Sequence, residues 1–298
     1  MTKVILTHVA PDFDAIGYAW LMIKFAPGFK DARITYTSVS TPGHDLLNRA
    51  DSVGDIGGEY DPERRRFDHH HLPGSESTAT CATRMVWEWL GEQGIDLEYL
   101  APLIEVIYQG DIGHIDPVGI HSQMGGWKIC NKDAGRILTD NDVMGYGIRI
   151  LTMNELWLRR QSENAAELEE KVVYKSDDGL LWVIRHGSIG SSFAAYDQGA
   201  RLVAFEAKPI ELADGSTTYP VGISRAPEWK TPHIGQIVKQ AIAMGQPSHR
   251  KMAEELETWF NHPAGFFSGR GTAKAPCPDS LKVDIVDLAK RINMSWKR

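Results

Sequence analysis

The sequence predicts an α/β protein with an N-terminal parallel-sheet domain and a smaller C-terminal α+β domain. Two features of the chain lead to this prediction. In the first half, short apolar runs alternate with longer segments of helical spacing, as a parallel sheet with crossover helices requires. In the second half, strand-like runs come first and helical segments follow. The length of 298 residues is sufficient for two domains.

The elements of the first half are read from periodicity and from glycine and proline positions. Strands are expected at residues 4–7, 33–39 and 52–54, the last running into a tight turn, and helices at residues 15–25, 78–90, 97–108 and 142–175. The helices over 78–90 and 97–108 are expected to stop at Gly91 and Gly110. Alternating strands and helices of this kind favour a parallel sheet.

The second half begins after a charged helical stretch and the turn Ser176-Asp177-Asp178-Gly179. Strands are expected at residues 180–184, 202–205 and 219–223, and helices at residues 234–243, 249–260 and 284–292, with a glycine-rich loop before the last helix. We therefore divide the chain into a catalytic domain (1–160), a helical linker (161–178) and a substrate-binding domain (179–298).

Composition excludes several classes of protein. Apolar residues make up 42% and charged residues 24% of the chain, and no window resembles a membrane span of about 20 apolar residues. Three widely separated cysteines indicate neither a disulfide framework nor a Cys-x-x-Cys zinc site. The net charge of −7 argues against a long nucleic-acid groove. We expect a cytoplasmic protein without membrane contact.

Candidate metal ligands are concentrated in the first third of the chain. They are His8, Asp12 and Asp14, then Asp55, then the run Asp68-His69-His70-His71, and finally Asp111. In open α/β sheets ligands bind at the carboxyl ends of strands. The side chains of His8, Asp12, Asp14 and Asp55 would project there. Asp12 and Asp14 alone are also compatible with a turn and a helix N-cap. Four adjacent ionisable residues at 68–71 are harder to explain by packing, although a solvated loop remains an alternative.

This ligand set predicts a hydrolytic metalloenzyme. Two divalent ions about 3.5 to 4 Å apart need a bridging carboxylate and terminal oxygen ligands, and they activate water for in-line attack on phosphorus. The imidazoles favour Mn²⁺, Co²⁺ or Fe²⁺ over Mg²⁺ alone. We expect two divalent ions, with Mn²⁺ preferred and Mg²⁺ or Co²⁺ as alternatives.

The motifs resemble those of the DHH phosphoesterase superfamily, which includes RecJ-type exonucleases, oligoribonuclease/phosphoadenosine phosphatases and manganese-dependent inorganic pyrophosphatases. Its four metal motifs are matched in order by His8-x-x-x-Asp12-x-Asp14, by Asp55, by Asp68-His69-His70 and by Asp111. Residues 55–70 are most similar to the Myg group of DHH proteins, a group tied to exonuclease activity on RNA. Residues 11–17 are nearer the general phosphoesterase form. The resemblance implies a DHH-type N-terminal domain.

The resemblance also implies a role for each ligand. His8 and Asp12 would bind one ion, Asp55 would bridge both ions, and the second ion would be bound by Asp14, His69 and Asp111. His70 would face the substrate as a proton donor or oxyanion contact, and Asp68 would orient the histidines from behind. Asp116 is an alternative to Asp111, and three further histidines are expected mainly at the surface or next to the ligands: His71, His114 and His121.

A glycine-rich segment of the second domain, Ser268-Gly269-Arg270-Gly271, is the candidate phosphate site. Glycines let backbone N–H groups approach an anion, and the guanidinium of Arg270 can hold phosphate with two hydrogen bonds. The resemblance implies a substrate loop in the C-terminal domain, which this segment matches loosely, without the usual Gly-Gly-Gly-His. A plain surface turn is the alternative. Arg225, after a predicted strand, is a second candidate.

We therefore expect a metal-dependent phosphoesterase that hydrolyses a small nucleotide-type ester by two-metal-activated water. Its substrate would be an oligonucleotide end, a dinucleotide or a nucleoside phosphate, and not a long duplex. His70 and Arg270 would orient or stabilise the phosphoryl group. A homodimer is compatible with the sequence. Two alternatives remain open: a metal-dependent amide hydrolase, and a non-catalytic metal or nucleotide sensor.

Overall fold

The computed structural model describes residues 2–38, 43–187, 190–229, 233–244, 257–272, 275, 277 and 284–296. The chain divides into two compact units, residues 1–159 and residues 160–298. Each unit has its own sheet and its own hydrophobic core. The predicted fold class, a parallel-sheet α/β domain followed by a smaller α+β domain, is confirmed.

The first unit is built on a five-stranded sheet with the order β2-β1-β3-β5-β4. Its strands are β1 (Val4–His8), β2 (Arg33–Thr37), β3 (Ser52–Gly54), β4 (Tyr60–Asp61) and β5 (Arg66–Phe67). Strands β1, β2, β3 and β5 run parallel, whereas β4 is antiparallel to its neighbour. The carboxyl ends of β1, β3 and β5 therefore lie at one edge of the sheet.

The helices of the first unit pack around a nearly completely buried first helix. They are α1 (Phe13–Phe25), α2 (His44–Arg49), α3 (Ala82–Glu92), α4 (Ala101–Asp111), α5 (Ile120–Asp133) and α6 (Asp140–Lys171), the last of which continues into the second unit. Every residue of α1 from 13 to 22 is buried, and its side chains share one core cluster with residues of α3 and α4. A Cβ at Gly17 would overlap the Thr83 side chain, so this glycine lets α1 approach α3 closely.

The second unit contains a mixed six-stranded sheet with the order β12-β13-β11-β8-β7-β6. Its strands are β6 (Val172–Lys175), β7 (Leu181–Arg185), β8 (Leu202–Glu206), β11 (Val221–Arg225), β12 (Phe260–Asn261) and β13 (Phe267–Arg270), with a separate hairpin of β9 (Ile210–Glu211) and β10 (Thr217–Thr218). Helices α8 (Ile234–Ala243) and α9 (Ile285–Trp296) form one core cluster with the sheet. Helix α7 (Ser191–Asp197) contributes to another.

Several predicted elements differ from the structure. Helices α3 and α4 pass through Gly91 and Gly110 and end at Glu92 and Asp111. The predicted linker helix ends at Lys171, because the β-branched and aromatic residues that follow it form edge strand β6. The predicted glycine-rich loop is strand β13 up to Arg270.

Two further differences concern helices. Helix α5 was not predicted, because Gly125 and Gly126 have low helix propensity and the apolar residues of this segment do not form a clear helical face. The helix predicted over residues 249–260 falls mostly outside the described residues, and its last residue, Phe260, begins β12.

One buried carboxylate fixes α6 against α1. Glu155 is completely buried, and it accepts hydrogen bonds from Lys24 Nζ at 2.6 Å and from Tyr99 Oη at 3.1 Å. A buried charge is stable only when its partners are present. Glu155 therefore ties two helices and the segment before α4 together.

Replacing Glu155 with alanine should lower the free energy of unfolding by about 2 to 3 kcal/mol, because the Lys24 ammonium and the Tyr99 hydroxyl lose a fully buried, charged acceptor. Urea denaturation followed by tryptophan fluorescence measures this loss. The control is Glu163→Ala, which removes an ion pair with Arg160 that is about half exposed on both sides, and it should change stability by less than about 0.5 kcal/mol. Equal effects of the two substitutions would contradict the assignment.

Candidate metal centre

The predicted metal ligands of the first unit converge at the carboxyl edge of its sheet. His8 is the last residue of β1, Asp55 follows β3, and Asp68 follows β5. Asp12 is the N-cap of α1 and Asp14 lies in the first turn of that helix. The remaining ligands come from the segment after β5 and from the end of α4: His69, His70 and Asp111. Separate local elements thus deliver side chains to one place, as is typical of open α/β sheets.

His8, Asp12 and Asp55 form the first group of candidate ligands. His8 Nε2 lies 3.0 Å from Asp55 Oδ2 and 3.9 Å from Asp12 Oδ1. His8 Nδ1 lies 2.8 Å from the carbonyl oxygen of Val9. Because a carbonyl can only accept a hydrogen bond, Nδ1 must donate, and the neutral ring then keeps a lone pair on Nε2. That nitrogen faces the two carboxylates.

Asp14, His69 and Asp111 form the second group. His69 Nε2 lies 3.8 Å from Asp14 Oδ2, 3.7 Å from Asp111 Oδ2 and 3.7 Å from Asp55 Oδ1. Its Nδ1 donates to the carbonyl of Ser77 at 2.7 Å, so Nε2 again has the free lone pair. Two ligand atoms each about 2.1 Å from one ion lie about 3.0 to 4.2 Å apart. The spacing therefore suits a shared divalent cation.

Asp55 is a member of the first group and also faces His69 of the second, and it forms a further candidate group with His69 and His70. Its Oδ2 faces His8 and its Oδ1 faces His69. The backbone of Asp55 has a φ of +58°, a left-handed conformation that is unfavourable for a residue with a Cβ. The hydrogen bond from Asp55 N–H to the carbonyl of Phe67, at 2.9 Å, helps to hold it there. Such strain concentrates at functional sites, where the surrounding structure enforces it.

Asp14 is held by the N-terminus of α3. Its two carboxylate oxygens accept hydrogen bonds from Ala82 N–H and Thr83 N–H, both at 2.7 Å. The close approach permitted at Gly17 brings these donors within reach. The orientation of Asp14 is therefore set by backbone groups and not by its rotamer alone.

His70 and Asp68 form a pair at the mouth of the site. Asp68 Oδ1 accepts from His70 N–H at 3.0 Å and from His70 Nδ1 at 2.7 Å, while Oδ2 accepts from Gly58 N–H at 2.5 Å. Asp68 is buried, whereas the His70 side chain is 62% exposed. The hydrogen bond to Asp68 raises the pKa of His70. Both residues line a cavity of about 380 Å³ together with His8, Asp12, Asp55, Ile56 and Asp111.

The charges of the clustered aspartates and histidines favour binding of a cation. The hydrogen bond to Asp55 raises the pKa of His8 to about 9. Burial and the charges of Asp55 and Asp111 raise the pKa of Asp14 to about 8. Burial also lowers the pKa of His69, but Asp55 and the Ser77 carbonyl raise it more, to about 9. The neighbouring carboxylates thus favour the protonated forms of the two histidines and, together with burial, that of Asp14.

Two buried atoms also test whether a metal fits. Asp55 Oδ1 and His69 Nε2 are buried and form no hydrogen bond within the described part of the chain. Such orphan groups are costly unless a partner satisfies them. Carboxylate oxygens combined with imidazole nitrogens are the donor set of Mn²⁺, Fe²⁺, Co²⁺ and, less well, Mg²⁺. The residues present therefore fit divalent cations.

Comparison with known proteins gives the same picture for this part of the chain. Residues 5–118 match the family model MYG1_exonuc, described as an uncharacterised protein family (UPF0160). This range includes every candidate metal ligand. The N-terminal unit is therefore similar to the Myg group of DHH-type proteins over these residues. The predicted resemblance is thus confirmed.

Individual relatives match a shorter stretch of this chain, 70 residues long. MYG1 exonuclease from Homo sapiens is 34% identical over 70 residues, which are 24% of this chain and 18% of that protein. MYG1 exonuclease from Bos taurus is 33% identical over 70 residues, 24% of this chain and 17% of that protein. The matched segment is thus less than a fifth of either relative. RecJ in complex with Mg²⁺ from Thermus thermophilus aligns with 99% of this chain and 50% of its own, at 12% identity and a TM-score of 0.31, too low to establish a common fold.

The remaining predicted site residues are in the second unit or beside the centre. Ser268, Gly269 and Arg270 are buried in β13, where Arg270 Nη2 donates to Cys277 Sγ at 2.5 Å. Gly271 follows them with a φ of +65°. Arg225 ends β11 and donates to the carbonyl of Trp229. Substrate binding by these residues stays a prediction.

Three further histidines of the first unit lie outside the candidate ligand groups within the described residues. His71 is exposed, and His114 Nδ1 lies 2.7 Å from Gln109 Oε1. The ring of His121 packs edge-on against Phe13, with a centroid distance of 5.0 Å, and occupies the space where a Cβ of Gly110 would be. His121 is therefore next to the centre without belonging to it.

Sequence reasoning missed groups that support the ligands. The Ser77 carbonyl and the Gly58 N–H are backbone groups, so no residue type could indicate them. Asp140, at the start of α6, accepts from Ala10 N–H at 2.8 Å and thereby holds the turn between His8 and Asp12. The only signal for Asp140 is its position at a helix start, 130 residues away in sequence.

The number of Mn²⁺ ions that the first unit binds should match its two ligand groups. In isothermal titration calorimetry the intact chain should bind two Mn²⁺ ions, and His8→Ala should bind one with near-normal affinity. Asp55→Ala should lose at least about 100-fold in affinity at both sites, because it removes the shared carboxylate. His71→Ala replaces an adjacent histidine outside both groups and should behave like the wild type. Two tightly bound ions in Asp55→Ala would refute the shared role of Asp55.

Proposed function

We propose that this chain is a metal-dependent phosphoester hydrolase that acts on short nucleotide-containing substrates. The observation that supports the proposal most directly is the position of Asp55, with one carboxylate oxygen toward each ligand group. A carboxylate shared in this way is the usual bridge in two-metal hydrolases. In this proposal, His8 and Asp12 hold one ion and Asp14, His69 and Asp111 hold the other.

The two ions, when bound, would supply the chemistry common to two-metal hydrolases. When bound, two divalent ions about 3.5 to 4 Å apart would supply an activated water and neutralise charge on the phosphoryl group. Mn²⁺ is our preferred ion because each group includes an imidazole; Mg²⁺ and Co²⁺ are alternatives.

His70 is the residue that we propose for proton transfer. Asp68 holds its Nδ1–H at 2.7 Å, so the other ring nitrogen, Nε2, is the one that can meet the substrate. Because Asp68 raises the pKa of His70, the ring is readily protonated and can donate a hydrogen bond or a proton to a phosphoryl or leaving oxygen. The cavity that it lines, about 380 Å³, has room for a nucleotide-sized end of a substrate.

The relatives favour a nuclease among phosphoesterases. The relatives that match 70 residues of this chain are named exonucleases. The net charge of −7 disfavours long duplexes, so we favour a short single-stranded oligonucleotide or a dinucleotide. Arg225, which is partly exposed, is the proposed phosphate contact of the second unit, and phosphate binding by the buried segment 268–271 stays a prediction. No described helix is long and apolar enough to cross a membrane. A cytoplasmic location and a homodimer remain part of the proposal.

Hydrolysis of a defined substrate panel tests the proposal. The panel contains bis-p-nitrophenyl phosphate, short RNA and DNA oligomers, dinucleotides, phosphoadenosine phosphate and pyrophosphate, each with Mn²⁺. We expect wild-type turnover on the short nucleic acids, a loss of at least about 1,000-fold in kcat/KM for Asp55→Ala, and a loss of about 100-fold or more, mainly in kcat, for His70→Asn.

Asp45→Ala, which removes a carboxylate from α2, outside both ligand groups, is the control and should leave turnover unchanged. Cleavage of amide substrates without phosphoester turnover would overturn the proposal in favour of amide hydrolysis. Folded, Mn²⁺-loaded protein that cleaves nothing would favour a sensor.

A further inference from the structure

The segment between the Asp68-His69-His70 motif and α3 has few apolar contacts of its own. Leu72 packs against the core cluster, but the single turn of 3₁₀ helix that follows, Gly74–Glu76, has no buried residue. Its side-chain hydrogen bonds are local, from Ser77 Oγ to the Gly74 carbonyl and from Thr78 Oγ1 to the Ser75 carbonyl. Its position therefore depends on polar contacts with the rest of the domain.

Three consecutive carbonyl groups of this segment accept hydrogen bonds from three different elements. The Ser77 carbonyl accepts from His69 Nδ1 at 2.7 Å. The Thr78 carbonyl accepts from Tyr108 Oη on α4 at 2.7 Å. The Ala79 carbonyl accepts from Arg84 Nη1 on α3 at 3.2 Å. Neighbouring peptide planes share a Cα atom and differ only by the φ and ψ angles of that residue. Holding the second and third carbonyls therefore restricts the positions that the first can take.

Tyr108 and Arg84 also hold each other. The Arg84 guanidinium carbon lies 3.9 Å from the centre of the Tyr108 ring, and Arg84 Nη2 donates to Glu105 on α4 at 2.6 Å. A stacked and paired guanidinium has little freedom to leave its carbonyl. Tyr108 and Arg84 thus link α4 and α3 to each other beside this segment.

We propose that Tyr108 and Arg84 are positioning residues for His69. By holding the carbonyls of Thr78 and Ala79, they keep the Ser77 carbonyl on His69 Nδ1, and so keep the Nε2 lone pair directed at Asp14, Asp55 and Asp111. Tyr108 lies one helical turn before Asp111, so the same helix carries one ligand and aligns another. This inference rests on the metal centre in the proposed function, but not on the reaction catalysed.

The test removes one hydroxyl group. Tyr108→Phe keeps the ring that stacks on Arg84 and deletes the donor to Thr78. The Mn²⁺ affinity is measured in the His8→Ala background, where only the group of Asp14, His69 and Asp111 should bind Mn²⁺ tightly. We expect Tyr108→Phe to weaken that binding by about tenfold, which is the lower end of the range for loss of a contact that orients a ligand histidine. Arg84→Gln should give a loss of similar size.

The tautomer of His69 is a readout independent of metal and of activity. In ¹⁵N spectra of the histidine rings of metal-free protein, recorded above the His69 pKa of about 9 so that the ring is neutral, His69 should be protonated on Nδ1 in the wild type. It should gain a population protonated on Nε2 in Tyr108→Phe. Tyr146→Phe, which alters a ring stacked on Trp127 in the same unit, is the control and should change neither readout. A full Nδ1 tautomer with unchanged Mn²⁺ affinity in both variants would overturn the inference.

The inference and the proposed function can fail separately. Protein that binds Mn²⁺ and shows the tautomer shift, but hydrolyses no phosphoester, would overturn the function and leave the positioning role intact. Protein that is active, with an unchanged tautomer and unchanged affinity in Tyr108→Phe, would do the reverse.

Discussion

The centre depends on one physical constraint, the placing of several carboxylates within a few ångströms of each other at one edge of a sheet. Asp55 lies in the middle, with Oδ2 at 3.0 Å from His8 Nε2 and Oδ1 at 3.7 Å from His69 Nε2. Burial, together with the charges of neighbouring carboxylates, raises the pKa of Asp14 to about 8 and also raises the pKa of Asp111. The fold supplies partial compensation with imidazoles, and divalent cations would complete it.

The rest of the first unit serves to keep these charges in place. Helix α1 is buried from Phe13 to Met22, so the turn before it cannot move without disturbing the core. The N-terminus of α3 binds Asp14 through two backbone N–H groups, and Asp140 holds Ala10, which has a φ of +53°. Asp14 and the turn between His8 and Asp12 are therefore held by groups from other elements. This arrangement reduces the freedom that a bound ion would otherwise have to remove.

The sequence was sufficient to predict those features that depend on local residue pattern alone. The apolar run of β1, the helical spacing of α1 and the ordered recurrence of Asp and His residues gave the sheet edge and the ligand set. Properties that depend on tertiary context were not predictable. The run Val172-Val173-Tyr174 became a strand because β7 lies beside it, and Gly269 and Gly271 were read as a loop although Gly269 pairs with Gly222 in the sheet. The Ser77 carbonyl illustrates the general limit, since it acts through its backbone alone.

The central claim is that Asp55 joins two ion sites, and the most direct measurement of it is an anomalous difference map of crystals soaked in Mn²⁺. We expect two peaks about 3.5 to 4 Å apart, one on each side of the Asp55 carboxylate. One peak should lie within bonding distance of His8 and Asp12, and the other within bonding distance of Asp14, His69 and Asp111. A single peak, or two peaks of which only one touches Asp55, would contradict the account.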